Sequence, residues 1–229
     1  MKRLVQIFAV VIVFSQLAFA QKKGKTKVFK GIVTYTITYN GDWDPSVLAQ
    51  QPKSTQIKIL GKRSMTEIVY PGVTIKNISN GYDSVQYVLI DAGSMGKFYI
   101  KTTKEKFIEK LKEAQPKINY LDETKQIAGY IAKKAEFITK DEYGDEQKII
   151  VYYNEEIAGP EYNFLNNFPT LKGFPMEYTM PLDEGKSITF SVSEVKTSKV
   201  KIKETDFMIP TDFKETTEEE LKNMFGGGE

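Results

Sequence analysis

The sequence predicts an α+β fold that is mainly β, with antiparallel strands and one or two helices. Apolar and polar residues alternate from Phe29 to Tyr39, which is typical of a long strand with one buried face. Short apolar runs separated by glycines follow, and strands spaced so closely indicate an antiparallel meander. Only residues 103–114 show a clear helical periodicity within the strand region.

The first half of the chain contains five further predicted strands after a loop at 41–53. Pro71-Gly72 is a typical turn pair and separates two of them. The predicted strands comprise the region around Ile57 and Ile59, then 65–70, 73–78, 84–90 and 96–101.

The segment 103–114 is predicted to be an amphipathic helix that packs on the apolar face of the sheet. Thr102 and Glu105 match the spacing of a capping box, and Pro116 follows the predicted end. Its apolar stripe comprises Phe107, Ile108, Leu111 and Ala114.

Strands resume in the second half of the chain. Val200 and Ile202 alternate with three lysines, which indicates an exposed edge strand at 199–203 with a lysine-rich outer face. The other predicted strands are 127–140, 147–154, 173–180 and the alternating region 188–193.

The two ends of the chain are predicted to lie outside one globular domain that spans 28–213. Residues 21–27 form a basic, flexible tail by composition. Residues 214–229 form a short helix and a glycine-rich tail, because Thr217 and Glu220 match a capping box and Gly226 begins a glycine run.

Residues 1–20 have the pattern of an export signal. Lys2 and Arg3 precede an apolar stretch from Leu4 to Phe14, and Ala18-Phe19-Ala20 is a small-residue cleavage site. The stretch is too short to span a membrane, which takes about 20 apolar residues. We therefore expect a periplasmic or secreted protein that begins at Gln21, where a lipoprotein would need cysteine.

Composition excludes several classes of function. The chain contains no Cys and no His, so disulfides, Ser-His-Asp catalysis and Cys-His catalysis are impossible. The commonest ligand of zinc and copper is also missing. Loss of Lys2 and Arg3 with the signal leaves equal numbers of basic and acidic residues, which gives no sign of nucleic-acid binding. No phosphate-binding glycine motif is present, so the sequence predicts no cofactor, no metal and no enzyme activity.

Two acidic segments allow a chemical or a structural interpretation. Asp42 and Asp44 flank Trp43, the only tryptophan, which suggests either a sugar-binding carboxylate pair or a polar loop with one anchoring aromatic residue. The acidic segment 141–146 offers oxygen ligands for calcium but lacks EF-hand spacing, which favours a solvated hairpin tip.

The segment 155–171 is predicted to be irregular and unusually aromatic. Irregular backbone with large apolar side chains often covers one face of a sheet. If the segment covers the sheet face completely, its side chains belong to the hydrophobic core. If it covers the face incompletely, it forms the lid of a pocket for an apolar ligand. The sequence leaves both alternatives open.

The residues from Thr124 to Ala135 resemble a T-x-x-I-x-G-Y-x-x-x-x-A motif of an exported Bacteroidota family of unknown function. The Gly159-Pro160 segment and residues 207–210 are similar as well. That family resembles the lipoprotein-carrier clan with the LolA/LolB-like fold. The resemblance implies a strongly curved antiparallel sheet, an incomplete barrel, with helices against its concave face and acyl chains held between them.

The leading functional hypothesis is a non-enzymatic exported protein that binds a lipid or a lipoprotein acyl chain. The alternative is an envelope interaction module that uses sheet edges and the strand 199–203 to bind a protein or glycan. The predicted ligand-binding residues are Phe107, Leu111, Tyr130, Phe164, Phe168 and Phe174.

Overall fold

The computed structural model describes residues 28–140, 144–163, 166–182 and 185–225. These residues form a mainly β protein built on one mixed sheet of twelve strands that does not close into a barrel. The strands are β1 (Lys30–Asn40), β2 (Ser54–Leu60), β3 (Arg63–Tyr70), β4 (Val73–Asn80), β5 (Val85–Asp91), β6 (Lys97–Thr102), β7 (Lys117–Ile127), β8 (Tyr130–Lys140), β9 (Glu146–Asn154), β10 (Phe174–Pro181), β11 (Ser187–Lys196) and β12 (Lys214–Glu215).

The sheet joins two antiparallel meanders. One runs from β1 to β6 and the other from β7 to β11, and the two meet where β1 pairs with β11. The predicted antiparallel pairing is confirmed for these eleven strands. It is wrong for the two-residue strand β12, which pairs parallel to β6 and makes the sheet mixed.

Helical segments are short, and all but the last, which follows the final strand, lie in connections between strands. They are α1 (Pro45–Leu48), α2 (Lys104–Ala114), α3 (Pro160–Asn163) and α4 (Glu218–Phe225), with 3-10 turns at Gly93–Met95 and Glu204–Phe207. The helix α2 links β6, near one end of the sheet, to β7 at the other end. It is therefore the connection between the two meanders.

The alternation predicted for the first strand is confirmed. Gly31, Val33, Tyr35 and Ile37 are buried, whereas the residues between them are half-buried or exposed. The predicted hairpin around Pro71-Gly72 is also confirmed as β3 and β4, and Gly72 adopts a positive φ of 80° that glycine accepts without strain.

The predicted helix at 103–114 is confirmed, but its capping box is wrong. Thr102 ends β6, so Thr103 is the N-cap and makes no side-chain capping bond. The predicted stripe is the half-buried side of α2, and none of the helix residues is fully buried. The helix therefore contacts the rest of the protein on one side and leaves its charged side exposed.

The predicted strand 127–140 is wrong in extent, because a hairpin turn interrupts it. Ala128 and Gly129 both have positive φ, at 49° and 85°, as in the two-residue turns that join antiparallel strands. The strand β7 that precedes this turn was not predicted. Most of its residues are exposed, so it carries no apolar alternation. The Thr124–Ala135 motif is accordingly a hairpin and not one strand.

The predicted edge strand 199–203 is wrong. No strand is assigned there in the described chain; the segment leads instead into a 3-10 turn. Ile202 is only 6% exposed and packs in a cluster with Met65, Ile78, Leu89 and Phe207. The half-buried Val200 packs against the same cluster, so the alternation with lysine reflects two side chains that contact the core between exposed lysines.

The remaining core consists of two clusters that include the irregular segment 155–173. Ile157 and Tyr162 pack with β1, β2 and β10, while Phe168 and Leu171 pack with β8 and β9. Most of the segment's large side chains that the structure describes are therefore buried on the sheet.

The capping box predicted at the C-terminal helix is confirmed. The Thr217 amide donates to the Glu220 carboxylate at 2.9 Å, and the Glu220 amide donates to the Thr217 hydroxyl at 3.1 Å. The predicted signal 1–20, the tail 21–27 and the glycine run 226–228 lie outside the described residues. Half of the predicted acidic loop 141–146 does so too, since residues 141–143 are not described.

Candidate functional site

One cavity combines residues from both meanders, from α2 and from the irregular segment. Its volume is about 490 Å³, within the range of about 300–1,000 Å³ that is usual for small-molecule sites. Eight strands that are neighbours in the sheet, β6 to β1 followed by β11 and β10, each contribute at least one lining residue. We call this space the aromatic cavity.

The aromatic wall of this cavity comprises five rings, four of which contact one another directly. The Tyr178 ring lies 4.8 Å from Phe168 and 5.1 Å from Phe190, and Tyr35 lies 6.4 Å from Phe190. Such distances are those of favourable aromatic pairs. The wall comprises Tyr35, Tyr162, Phe168, Tyr178 and Phe190.

The tyrosine hydroxyls of this wall are engaged in the protein. Tyr35 donates to the carbonyl oxygen of Pro175, Tyr162 is hydrogen-bonded to Ser64, and the Asn167 amide donates to the Tyr178 oxygen. Burial raises the pKa of all three phenols well above the ordinary value of 10.0. The wall is therefore uncharged at physiological pH.

A polar wall faces the same space. Asn77 and Thr66 lie directly opposite each other on β4 and β3. Gln86 and Thr102 lie opposite each other on β5 and β6, two residues along the strands from the first pair. The residues of the polar wall are Thr66, Asn77, Gln86, Thr102, Asn166 and Asn167. The cavity is thus amphipathic, with rings on one side and hydroxyl and amide groups on the other.

The helix α2 contributes Phe107 and Lys110 to the lining. The Lys110 ammonium lies 3.3 Å from the Glu218 carboxylate of α4, and both side chains are more than 60% exposed. Lys110 is the one charged side chain among the described residues that line the cavity. It lies where the lining meets solvent, already paired with an acidic group.

A second cavity of similar volume, about 500 Å³, has a different chemistry. It lies beside residues 205–210, and two ion pairs cross its lining, Lys58 with Asp206 and Lys76 with Glu67. No aromatic ring lines it among the described residues. An apolar ligand would find charged groups there, so the aromatic cavity is the better candidate site.

The structure brings two of the predicted ligand-binding residues together in this cavity. Phe107 and Phe168 both line it, and Phe168 is only 1% exposed. Phe174 is fully buried in the adjoining core, where its ring contacts Tyr35 and Tyr162. Tyr130 is half-buried against the same core, and Leu111 is half-buried one turn along α2 from Phe107. Phe164 lies outside the described residues.

The wall residues Tyr35, Tyr178 and Phe190 were not predicted to bind ligand. Tyr35 and Phe190 were recognised as members of apolar strand faces, but nothing in the sequence indicates that β1, β10 and β11 are neighbours. The polar wall was missed because threonine and asparagine in strands give no periodic signal.

The loop around Trp43 has a structural explanation. Trp43 donates its ring N–H to the Asn40 carbonyl at 2.9 Å and packs edge-on against Tyr39. Asp44 is the N-cap of α1 and accepts from the Ser46 amide at 2.7 Å. Hydrogen bonds from Ser46 lower the pKa of Asp44, as expected for a capping carboxylate. These contacts match the interpretation of a polar loop with one anchoring aromatic residue.

Neither a metal cluster nor a membrane helix emerges from the described part of the chain. No group of three acidic side chains in the described ranges is arranged to hold a metal ion. Within the same ranges, no helix combines the length and apolarity needed to cross a membrane.

Comparison with known proteins shows similarity of fold alone. No protein-family model matches the chain, and no curated protein matches it. Two crystal forms of PNGF-II superpose with TM-scores of 0.56 and 0.50, at 14% and 15% identity, over 87% of this chain. This chain spans about a third of the length of PNGF-II, at 34% and 33%. Its fold is therefore similar to that of part of PNGF-II.

A domain from Vibrio parahaemolyticus that is described as an outer membrane lipoprotein-sorting protein also aligns. The alignment covers 78% of this chain and 89% of that domain, at 11% identity. Its TM-score is 0.21, too low to equate the two folds.

Proposed function

We propose that the protein is an exported, non-catalytic binding protein that holds an apolar or amphipathic ligand, such as a lipid or acyl chain, in the aromatic cavity. The observation that carries this proposal is a cavity of about 490 Å³ with five aromatic residues on one wall. Apolar surface that enters such a space contributes about 25 cal/mol per Å² removed from water. The export signal predicted at 1–20 gives the expected location.

The reach of α2 supports a curved sheet around this cavity. Ten strand spacings separate β6 from β7 in the sheet order, which is about 48 Å in a flat sheet. The helix has 11 residues and rises about 16 Å, and three linking residues add at most about 11 Å. The connection reaches only about half of the flat distance, which favours a curved sheet whose two ends approach each other.

The lining of the cavity supports the same geometry. Eight neighbouring strands in a flat sheet span about 34 Å, which exceeds the width of a single cavity of this volume. Phe107 of α2 shares the space with Tyr35 of β1, so α2 lies on the side of the sheet that carries the aromatic wall. These observations support our proposal that α2 and the irregular segment lie against a concave face, as the LolA/LolB-like resemblance implies.

The test is ligand binding by the mature chain, residues 21–229. Purified protein is extracted with organic solvent for mass spectrometry and is titrated with a fluorescent lipid that has an uncharged head group. We expect co-purified lipid or saturable binding with one site. Absence of both would overturn the proposal and would favour the alternative, an envelope module with a protein or glycan partner, which cross-linking in cells detects.

A matched pair of variants locates the binding. Thr66→Trp places a large ring in the cavity, whereas Val69→Trp places the same ring on the other face of β3, where Val69 is 64% exposed. We expect Thr66→Trp to weaken probe binding at least tenfold and Val69→Trp to leave it unchanged, with circular dichroism confirming that both variants fold. Equal binding by both variants would place the ligand elsewhere.

A further inference from the structure

We infer that the ligand of the aromatic cavity is an uncharged amphiphile, with an apolar chain against the aromatic wall and a head group rich in hydroxyl or amide groups against the polar wall. This inference rests on the proposed function and adds the chemical class of the ligand. It follows from the order of side chains across the sheet, from the charges around the cavity and from one unpartnered amide.

The sheet face on which the cavity lies changes from apolar to polar along β3 to β6; of the two rows described next, only Ile68, Gln86 and Thr102 line the cavity itself. Strand register places four large apolar residues directly opposite one another across these strands, and all of them are half-buried. This apolar row comprises Ile68, Ile75, Ile90 and Phe98. Four residues further along each strand, on the same face, a polar row comprises Ser64, Ser79, Gln86 and Thr102.

The two rows are about 13 Å apart, at about 3.3 Å per residue. Ile68 lines the cavity together with Thr55 of β2, and Thr55 lies directly opposite Tyr35 of the aromatic wall on β1. The polar row ends at Thr102, immediately before α2. A ligand with one apolar and one polar end therefore has a single favourable orientation, with its head group near the start of α2.

The charges around the cavity select an uncharged head group. Among the described lining residues no carboxylate is present, and Lys110 already pairs with Glu218. A charged head group that leaves water for such a site loses hydration and gains no counter-charge, which costs several kcal/mol. Hydroxyl and amide groups lose less hydration free energy, and they can form new hydrogen bonds with the polar wall.

Asn77 supplies the unpartnered amide at the centre of the polar wall. It is half-buried, and its side chain makes no hydrogen bond to any residue that the structure describes. A primary amide offers two donors and one acceptor oxygen, and Thr66 lies directly opposite on β3. A half-buried amide without a protein partner favours a ligand that pairs with it over one that cannot.

The experiment compares three amphiphiles with the same eight-carbon chain on the purified mature protein. Octyl glucoside, octanoate and octyltrimethylammonium are titrated calorimetrically below their micelle-forming concentrations at neutral pH. We expect octyl glucoside to bind at least tenfold more tightly than either charged compound. Equal or tighter binding of a charged compound would overturn the inference while leaving the proposed function intact. Binding of none of the three would overturn both.

Asn77→Leu tests the role of the polar wall, with Asn119→Leu on the exposed strand β7 as the matched control. We expect Asn77→Leu to reduce the affinity for octyl glucoside at least fivefold and to change the affinity for octanoate less than twofold. A uniform loss for both ligands would show a merely structural role for Asn77 and would overturn its assignment as a head-group contact.

Discussion

The rings of Tyr178 and Phe190 stack at 5.1 Å with an interplanar angle of 19°, directly opposite each other on β10 and β11. Most other aromatic pairs of this cavity meet edge-on or at a tilt, so this stack is its flattest surface. A flat pair of rings across two strands offers an apolar chain an extended contact. It also stabilises the β10–β11 pairing itself.

Replacing Phe190 with alanine removes this stack. Fully buried Phe→Ala changes cost about 3–5 kcal/mol, and we expect about 2 kcal/mol because Phe190 is only half-buried. Urea denaturation followed by circular dichroism measures the loss. Met95→Ala, at a site 62% exposed, serves as the control and should change stability by less than about 0.5 kcal/mol. An equal effect of both changes would contradict this prediction.

Asn163 holds the irregular segment over the sheet. It is fully buried, and its amide nitrogen donates to the carbonyls of Leu171 at 2.8 Å and Gly173 at 2.7 Å. We expect Asn163→Ala to lower the free energy of unfolding by about 2–4 kcal/mol, since two buried carbonyls lose their partner. Asn119→Ala, which removes an exposed amide, should be nearly neutral in the same denaturation experiment. A neutral Asn163→Ala would show that the segment is held by apolar packing alone.

Alkaline pH should destabilise the protein through its buried phenols. The folded pKa of Tyr162 is raised above the unfolded value of about 10 by burial. Its contribution to stability is therefore complete below pH 10 and is lost as the pH rises toward the folded pKa. Each such phenol makes the free energy of unfolding fall more steeply with pH, by roughly 1.4 kcal/mol per pH unit. We expect the free energy of unfolding to fall less steeply with pH in Tyr162→Phe, as measured by urea denaturation at increasing pH. An unchanged dependence on pH would show that Tyr162 does not have a raised pKa in the folded protein.

Ile202 anchors the segment that follows β11. Because it is 6% exposed within an apolar cluster, we expect Ile202→Ala to cost about 2–4 kcal/mol. Its neighbour Lys201 is exposed, and Lys201→Ala should change stability by less than about 0.5 kcal/mol. Thermal unfolding of the two variants distinguishes between two structures of this segment. A large loss of stability in Ile202→Ala alone indicates a segment anchored in the core, whereas small losses in both variants would indicate a solvated edge strand.

Local patterns in the sequence predicted those elements whose pattern arises from burial on one face. The alternation from Phe29 to Tyr39 and the stripe of α2 are of this kind, and both faces lie as predicted. β7 escaped prediction because nearly all of its side chains are exposed. The turn at Ala128 escaped because alanine is not typical of a left-handed position.

The cavity could be predicted only in part, because it depends on which strands become neighbours. Phe107 and Phe168 were recognisable as large apolar residues outside the regular strands. Tyr178 and Phe190 became wall residues only through the pairing of β10 with β11 and of β11 with β1. Asn77 acquired its place through a register that no sequence pattern records.

The pairing of β1 with β11 has a consequence for how the chain folds. Ile32 lies opposite Lys196, so the contact that unites the two meanders closes a loop of more than 160 residues. Contacts between such distant parts of a chain are entropically expensive and slow to form. A chain emerging from the ribosome can assemble each meander separately, but the seam between them waits for almost the entire sequence. Until the seam forms, β1 and β11 present open edges, and the chain depends on rapid completion or on protection of those edges to avoid aggregation.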